Sequence, residues 1–115
     1  MVYQKRYNKY GNVKQTYGGR SYDSKMEAAW AMELDKMKLV GEVKEIIPQY
    51  KIDIRVNDKH ICNYYMDFKV VMADDSIEFH EVKGFETDIW RLKWKLTEAL
   101  LDEIEDGAKL VLIRK

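Results

Sequence analysis

At 115 residues with 46% hydrophobic and 12% aromatic side chains, the chain is long enough for one packed domain and too apolar to be disordered. Its formal net charge is zero, which excludes a generic polycationic nucleic-acid binder. No run of about 20 apolar residues exists to span a bilayer, and the lone Cys62 leaves no intrachain disulfide, which fits a reducing interior.

Residues 1–20 are rich in Tyr, Lys, Asn, Gln and Gly, show no helical or strand period, and are predicted to be a flexible basic and aromatic arm. Through residue 25 the chain carries Lys5, Arg6, Lys9, Lys14, Arg20 and Lys25 against Asp23 alone, interleaved with Tyr3, Tyr7, Tyr10 and Tyr17. The zero net charge thus hides a basic segment suited to an anionic partner, with rings for stacking. Residues 21–115 are predicted to form the folded domain. Met26, Trp30, Leu34, Met37 and Val40 recur at helical spacing with Gly41 as a stop, so a helix is expected over 24–40. A turn is expected around Pro48. Tyr50, Ile52, Ile54 and Val56 then alternate with Lys51, Asp53 and Arg55 as a half-buried strand.

Asn57-Asp58-Lys59 turns the chain into a second strand over 61–72, with Tyr64, Met66, Phe68, Val70 and Met72 on one face. After a turn at 73–76 comes a third strand over 77–83, broken by Gly84. A long helix follows over 87–105, with Ile89, Leu92, Leu96, Leu100 and Ile104 in one stripe. Gly107 ends it, and Leu110 to Ile113 make a last strand. This order predicts an α/β fold with a mixed four-stranded sheet: helix, three-strand meander, helix, strand. A right-handed crossover should lay the last strand parallel to the third.

The chemistry is concentrated in Asp67, Glu81 and Lys83. In a strand Glu81 and Lys83 point the same way, about 6–7 Å apart, and follow Ile77 and Phe79 on that face. A face that starts apolar and ends in two opposite charges is unfavourable unless something binds there. Two carboxylates are the usual protein share of a Mg²⁺ site, with waters and a substrate phosphate filling the rest. A lysine beside them could orient or deprotonate a water, or neutralise charge developing on phosphorus. The Val82 carbonyl, between the two side chains, is a further candidate ligand, and all three side chains are expected in one notch. Two plainer readings stand beside this: a solvated Glu81–Lys83 ion pair, and a pairing of Asp67 with Lys69. His60, Cys62 and His80 fit no familiar zinc spacing. Thr87 and Lys93, at the head of the long helix where anions are favoured, are candidate phosphate contacts. Trp90 and Trp94 are expected in the core or at a dimer contact.

An Asp on one strand and Glu-x-Lys on the next, behind a helix bearing Glu, resembles the PD-(D/E)xK nuclease superfamily, whose restriction-endonuclease-like core has this same element order. More narrowly, four blocks resemble a family of small phage-encoded proteins: Tyr22-Asp23-Ser24-Lys25-Met26-Glu27, Pro48-Gln49-Tyr50, Tyr65-Met66-Asp67-Phe68 and Glu81-Val82-Lys83-Gly84. That family is often left as a domain of unknown function and is related to endonuclease I and Holliday-junction resolvases. The resemblance covers roughly residues 20–115; Met66 stands where the superfamily's name has proline.

The resemblance implies a Mg²⁺-dependent DNA endonuclease, with Mn²⁺ able to substitute, acting on branched or recombination-intermediate DNA in a bacterial or phage-infected cytoplasm, with no membrane partner. Asp67 and Glu81 become metal ligands, Lys83 the catalytic lysine, and Glu27 the helix carboxylate that reaches the metal directly or through water. Gln49 matches a position near the site, where it would hold phosphate or water. The residues add that Glu27, Trp30, Leu34 and Met37 fall at i, i+3, i+7 and i+10, so Glu27 opens the buried stripe. Ser24 to Glu27 is equally a capping box, in which Glu27 merely bonds back to Ser24. Cutting both strands of a junction implies a homodimer. Two rival expectations are a non-catalytic DNA-binding module and a protein-interaction subunit using Trp90, Trp94 and the acidic cluster Asp102, Glu103, Glu105 and Asp106.

Overall fold

The structure, a computed structural model, describes residues 15–17, 20–22 and 24–114. Lys5, Arg6, Lys9 and Lys14 of the expected arm lie outside the described residues. The end of that arm is not without period: β1 (Gln15–Tyr17) and β2 (Arg20–Tyr22) pair antiparallel as a short hairpin.

Helix α1 (Lys25–Leu39) starts on Ser24, whose Oγ accepts from the Glu27 N–H at 3.1 Å. It stops at Gly41, in the left-handed region at φ 84°. The Glu42 N–H reaches the Met37 carbonyl and the Gly41 N–H the Lys38 carbonyl, a Schellman closure. Its inward face is Glu27, Ala28, Ala31 and Leu34, while Val40 is exposed. Strand β3 (Val43–Val56) begins well before the expected Tyr50 and runs straight through Pro48, where a turn was expected. The sheet order β3-β4-β5-β6 explains this: β3 is an edge, so the missing N–H of Pro48 leaves no ladder partner wanting.

Asn57 and Asp58, both at positive φ, turn β3 tightly into β4 (Lys59–Met72). Strand β5 (Ile77–Lys83) pairs antiparallel with β4, and β6 (Lys109–Arg114) pairs parallel with β5. The expected α/β architecture with a mixed four-stranded sheet is therefore present. Between β5 and β6 the expected single helix is two: α2 (Asp88–Ala99) and α3 (Leu101–Ile104), interrupted at Leu100. The break brings Leu100, Leu101 and Ile104 all against the core. Among the described residues no helix is long and apolar enough to cross a membrane.

Two corrections concern which residues face inward. Ile89 and Leu92, expected on the buried stripe of the second helix, are 69% and 61% exposed, and Trp90 and Thr97 take the core side. Two indoles at i and i+4 carry more area than Ile89 and Leu92, and the buried Trp90 N–H finds a partner in the Tyr64 hydroxyl at 2.9 Å. The even positions of β4, expected on one face, divide between two cores. Tyr64 and Met66 pack with Ile52, Ile54, Phe79 and Trp90 on the α2 side. Phe68 and Val70 pack with Leu34, Val43 and Val82 beneath α1. The division falls at Asp67. There the β3–β4 register passes from Pro48↔Phe68 to Tyr50↔Met66, with Gln49 across from Asp67 at φ 51°.

The α1 layer is tied to the sheet by a polar bridge. The Trp30 indole donates to His80 Nδ1 at 2.9 Å, and His80 Nε2 lies 2.8 Å from Glu78. Burial holds the His80 pKa below the ordinary value, with Glu78 partly opposing it, so His80 is a neutral ring accepting at Nδ1 and donating at Nε2. Trp30→Phe would leave that buried acceptor without its donor, a loss of about 1–3 kcal/mol. Thermal unfolding should show a melting temperature lower by about 5 °C or more.

Candidate metal centre

Strands β4 and β5 are paired only from Phe68↔His80 to Val71↔Ile77. Beyond that pair the strands part, and extending the register puts Asp67 across from Glu81 at the mouth of the gap. The Val82 N–H, which would otherwise look for a strand partner, donates to Asp67 Oδ2 at 2.9 Å. Sequence reasoning cast the Val82 carbonyl as a ligand; its N–H is the group seen orienting Asp67. Glu81 and Lys83 point to the α2 side with Phe79, and Glu27 arrives from the first turn of α1. The fork between two strands thus receives a carboxylate from each strand, one from a helix, and one lysine.

The place where these side chains were expected in one notch is closed to solvent. Asp67 and Glu81 have no solvent exposure, and Glu27 and Lys83 are 2% and 3% exposed. The exposed Gly84 and Phe85 follow immediately, so the cluster lies one residue beneath the surface at the β5–α2 loop. This burial removes the reading of Glu81 and Lys83 as a solvated pair. Lys83 Nζ lies 3.1 Å from Glu81 Oε2 without the alignment of a hydrogen bond, and 4.9 Å above the Trp90 ring. Asp67 is not paired with Lys69, whose ammonium bonds Glu105 at 3.3 Å and sits over Tyr50.

The electrostatics follow from that burial. Burial pushes the Glu81 carboxyl up to about 8, and the Glu27 carboxylate adds repulsion. Tyr64, the Asp67 backbone and Trp90 offset part of the rise. Burial brings Lys83 down to about 7, with Glu86 pulling weakly the other way. The Tyr64 phenol is raised out of the physiological range, first by burial and then by the charge of Glu81. Each partner is driven toward its neutral form, so the pair holds one shared proton near neutrality.

Glu27 is half of the expected capping box: its N–H caps onto Ser24. Its carboxylate is buried, and Oε2 accepts from Gln49 Nε2 at 3.0 Å. Gln49 is thus brought to the site, against a carboxylate. Thr87 and Lys93 have local tasks. Thr87 Oγ1 caps α2 by accepting from the Trp90 N–H at 3.1 Å. Lys93 Nζ donates to the Asn63 carbonyl at 3.1 Å, in the stretch of β4 beyond its pairing with β5. Arg20 lies in β2. His60 bonds Asp53 at the β3–β4 tip, far in register from His80 under α1, so the zinc trio is not assembled. Among the described residues no three His, Cys, Asp or Glu side chains form a ready-made metal cage.

Sequence reasoning missed Tyr64 as part of the site and placed Trp90 in the core or at a dimer contact. Tyr64 sits in an even-position apolar series and reads as packing. That its hydroxyl meets the Trp90 N–H beside Glu81 depends on the parting of β4 from β5, which no local pattern marks.

Comparison with known proteins adds one family. Its model, described as "Protein of unknown function (DUF1064)", matches residues 7–110. No curated protein and no solved structure matches the chain.

Proposed function

The chain belongs to the DUF1064 family, and we propose that within that frame it is a Mg²⁺-dependent endodeoxyribonuclease of the PD-(D/E)xK type, hydrolysing phosphodiester bonds of branched or recombination-intermediate DNA. One observation carries this reading. Glu81 is buried with neither oxygen in an aligned hydrogen bond, beside a lysine and across from a second carboxylate. Such a group is destabilising by several kcal/mol if charged, and a divalent cation is the partner that reverses the sign. Hard carboxylate oxygens suit Mg²⁺, with Mn²⁺ substituting.

Asp67 and Glu81 would hold the cation, with Glu27 and the Val82 carbonyl as further ligands. When bound, it supplies a Lewis acid that polarises the phosphate and acidifies water. The protein's own residues do the rest. The Val82 N–H fixes the rotation of Asp67. Lys83 Nζ, whose pKa burial brings down to about 7, would accept the proton of the attacking water. Trp90 and Tyr64 close the α2 side against bulk solvent. By the superfamily resemblance the product carries a 5′-phosphate. The basic residues at 5, 6, 9, 14 and 20 supply phosphate contacts, and two copies related by a two-fold axis cut the two strands.

The test is Mg²⁺-dependent cleavage of linear duplex, flap and four-way-junction DNA, with Mn²⁺ titration calorimetry alongside. Asp67→Asn keeps an acceptor for the Val82 N–H while removing the charge, and should weaken Mn²⁺ binding at least about tenfold. A second reading, a non-catalytic DNA-binding module on this fold, is favoured by the burial of the cluster. It predicts DNA retention with no Mn²⁺ heat, and that pair of results would overturn the enzyme.

A further inference from the structure

We infer that Gln49 is a positioning residue, kept in an unfavourable backbone conformation so that its amide holds the Glu27 carboxylate at the cluster. The inference rests on the reading of that cluster as a cation site.

Four non-glycine residues have positive φ among the described residues: Gln49, Asn57, Asp58 and Asp75. Three of them are Asn or Asp in turns, the residue types and places where the left-handed region is least unfavourable. Gln49 alone stands inside a strand. Glycine would adopt φ 51° with no steric penalty, and most side chains would be better served by a regular strand. What distinguishes glutamine here is where the twist sends its amide. A regular β3 would carry residue 49 on the face opposite its neighbours Pro48 and Tyr50. The left-handed kink falls across from Asp67, between the pairs Pro48↔Phe68 and Tyr50↔Met66 with the register unchanged on either side, and Gln49 Nε2 ends 3.0 Å from Glu27 Oε2.

The chemistry of the contact is specific. A neutral amide donor satisfies one oxygen of a buried carboxylate without neutralising it, so the group keeps its charge for a cation. A lysine would saturate it, and a glutamate would repel it. Gln49 therefore does for Glu27 what the Val82 N–H does for Asp67: each fixes the rotation of a carboxylate by one donated hydrogen bond. In this role it contacts neither phosphate nor attacking water.

Two variants separate positioning from folding. Gln49→Gly removes the amide and relieves the backbone; Gln49→Glu keeps size and backbone but replaces the donor with a second carboxylate. Both are measured by thermal unfolding in EDTA and by Mn²⁺ titration calorimetry. Gln49→Gly should melt within a few degrees of wild type yet bind Mn²⁺ about 10- to 100-fold more weakly. Gln49→Glu should lose at least as much affinity. Wild-type affinity in Gln49→Gly overturns this inference alone. Absence of Mn²⁺ heat from wild type overturns the cluster reading, and this inference with it.

Discussion

Replacing Lys83 with methionine should reduce Mg²⁺-dependent DNA cleavage by at least about 100-fold, the usual contribution of a positioned general base. The metal-free fold should survive. Removing one member of a buried ion pair ordinarily costs about 3–5 kcal/mol, because the survivor stays charged. Glu81 has another option. With its carboxyl held up near 8 by burial, it takes a proton at neutral pH and remains neutral beside the new side chain. Methionine also keeps an unbranched side chain beside the Trp90 ring, over which the Lys83 ammonium lies, and sulfur packs well against aromatic rings. The expected result is therefore a large loss of cleavage with a melting temperature within a few degrees of wild type. A variant that cuts as fast as wild type removes Lys83 from the chemistry.

Without divalent cation the protein should be least stable near pH 7–8. The folded state keeps the Glu81 proton to about pH 8, whereas the ordinary group loses it near 4.5. Between those values the folded state binds the extra proton, so stability falls as pH rises. Lys83 acts in the opposite sense. The folded state releases its proton near 7 and the ordinary group near 10.5, so stability rises with pH across that window. The two slopes cancel between 7 and 8, leaving a minimum there. His80, lowered from 6.5, adds a rise confined to the acid side, and comparison with Glu81→Gln subtracts it. Melting in EDTA at pH 6, 7.5 and 9.5 should be lowest at the middle value. Glu81→Gln should flatten the acid limb and Lys83→Met the alkaline one. If both variants retain the wild-type profile, the pair is not buried in solution.

Element order was legible because each element has its own period and its own stop. Gly41 closes α1, Asn57-Asp58 turns the hairpin, and Gly84 ends β5. The misplaced boundary at Pro48 has a simple cause: proline disrupts a central strand but not an edge, and position in a sheet is a tertiary property. The stripe on α2 was misjudged for a related reason. Ile89 and Leu92 match a helical period as well as Trp90 and Thr97 do, and only the partners Tyr64 and Lys83 decide which face turns inward.

The site was partly legible. Asp67, Glu81 and Lys83 are marked by charge on an otherwise apolar face, and the helix carboxylate Glu27 by its place on the buried stripe. Their seclusion was not. A count of charges suggests a notch, whereas the parting of β4 from β5 lets the Asp67 carboxylate substitute for a ladder contact inside the core. For Gln49 the resemblance supplied the position, but the kinked backbone and the carboxylate partner came from the fold.

The parallel pairing of β5 with β6 also sets an order of assembly. Glu81 lies beside Leu112 and Lys83 beside Arg114, so the strand carrying both charges is flanked on one side by residues made after all of α2 and α3. A chain emerging from the ribosome holds Asp67 and Glu81 on a hairpin whose outer edge is bare until residues 109–114 have been translated. During that interval the charged side chains can stay hydrated, and desolvation is deferred to the last docking event. A chain built this way has no assembled Asp67–Glu81–Lys83 cluster while it is being synthesised.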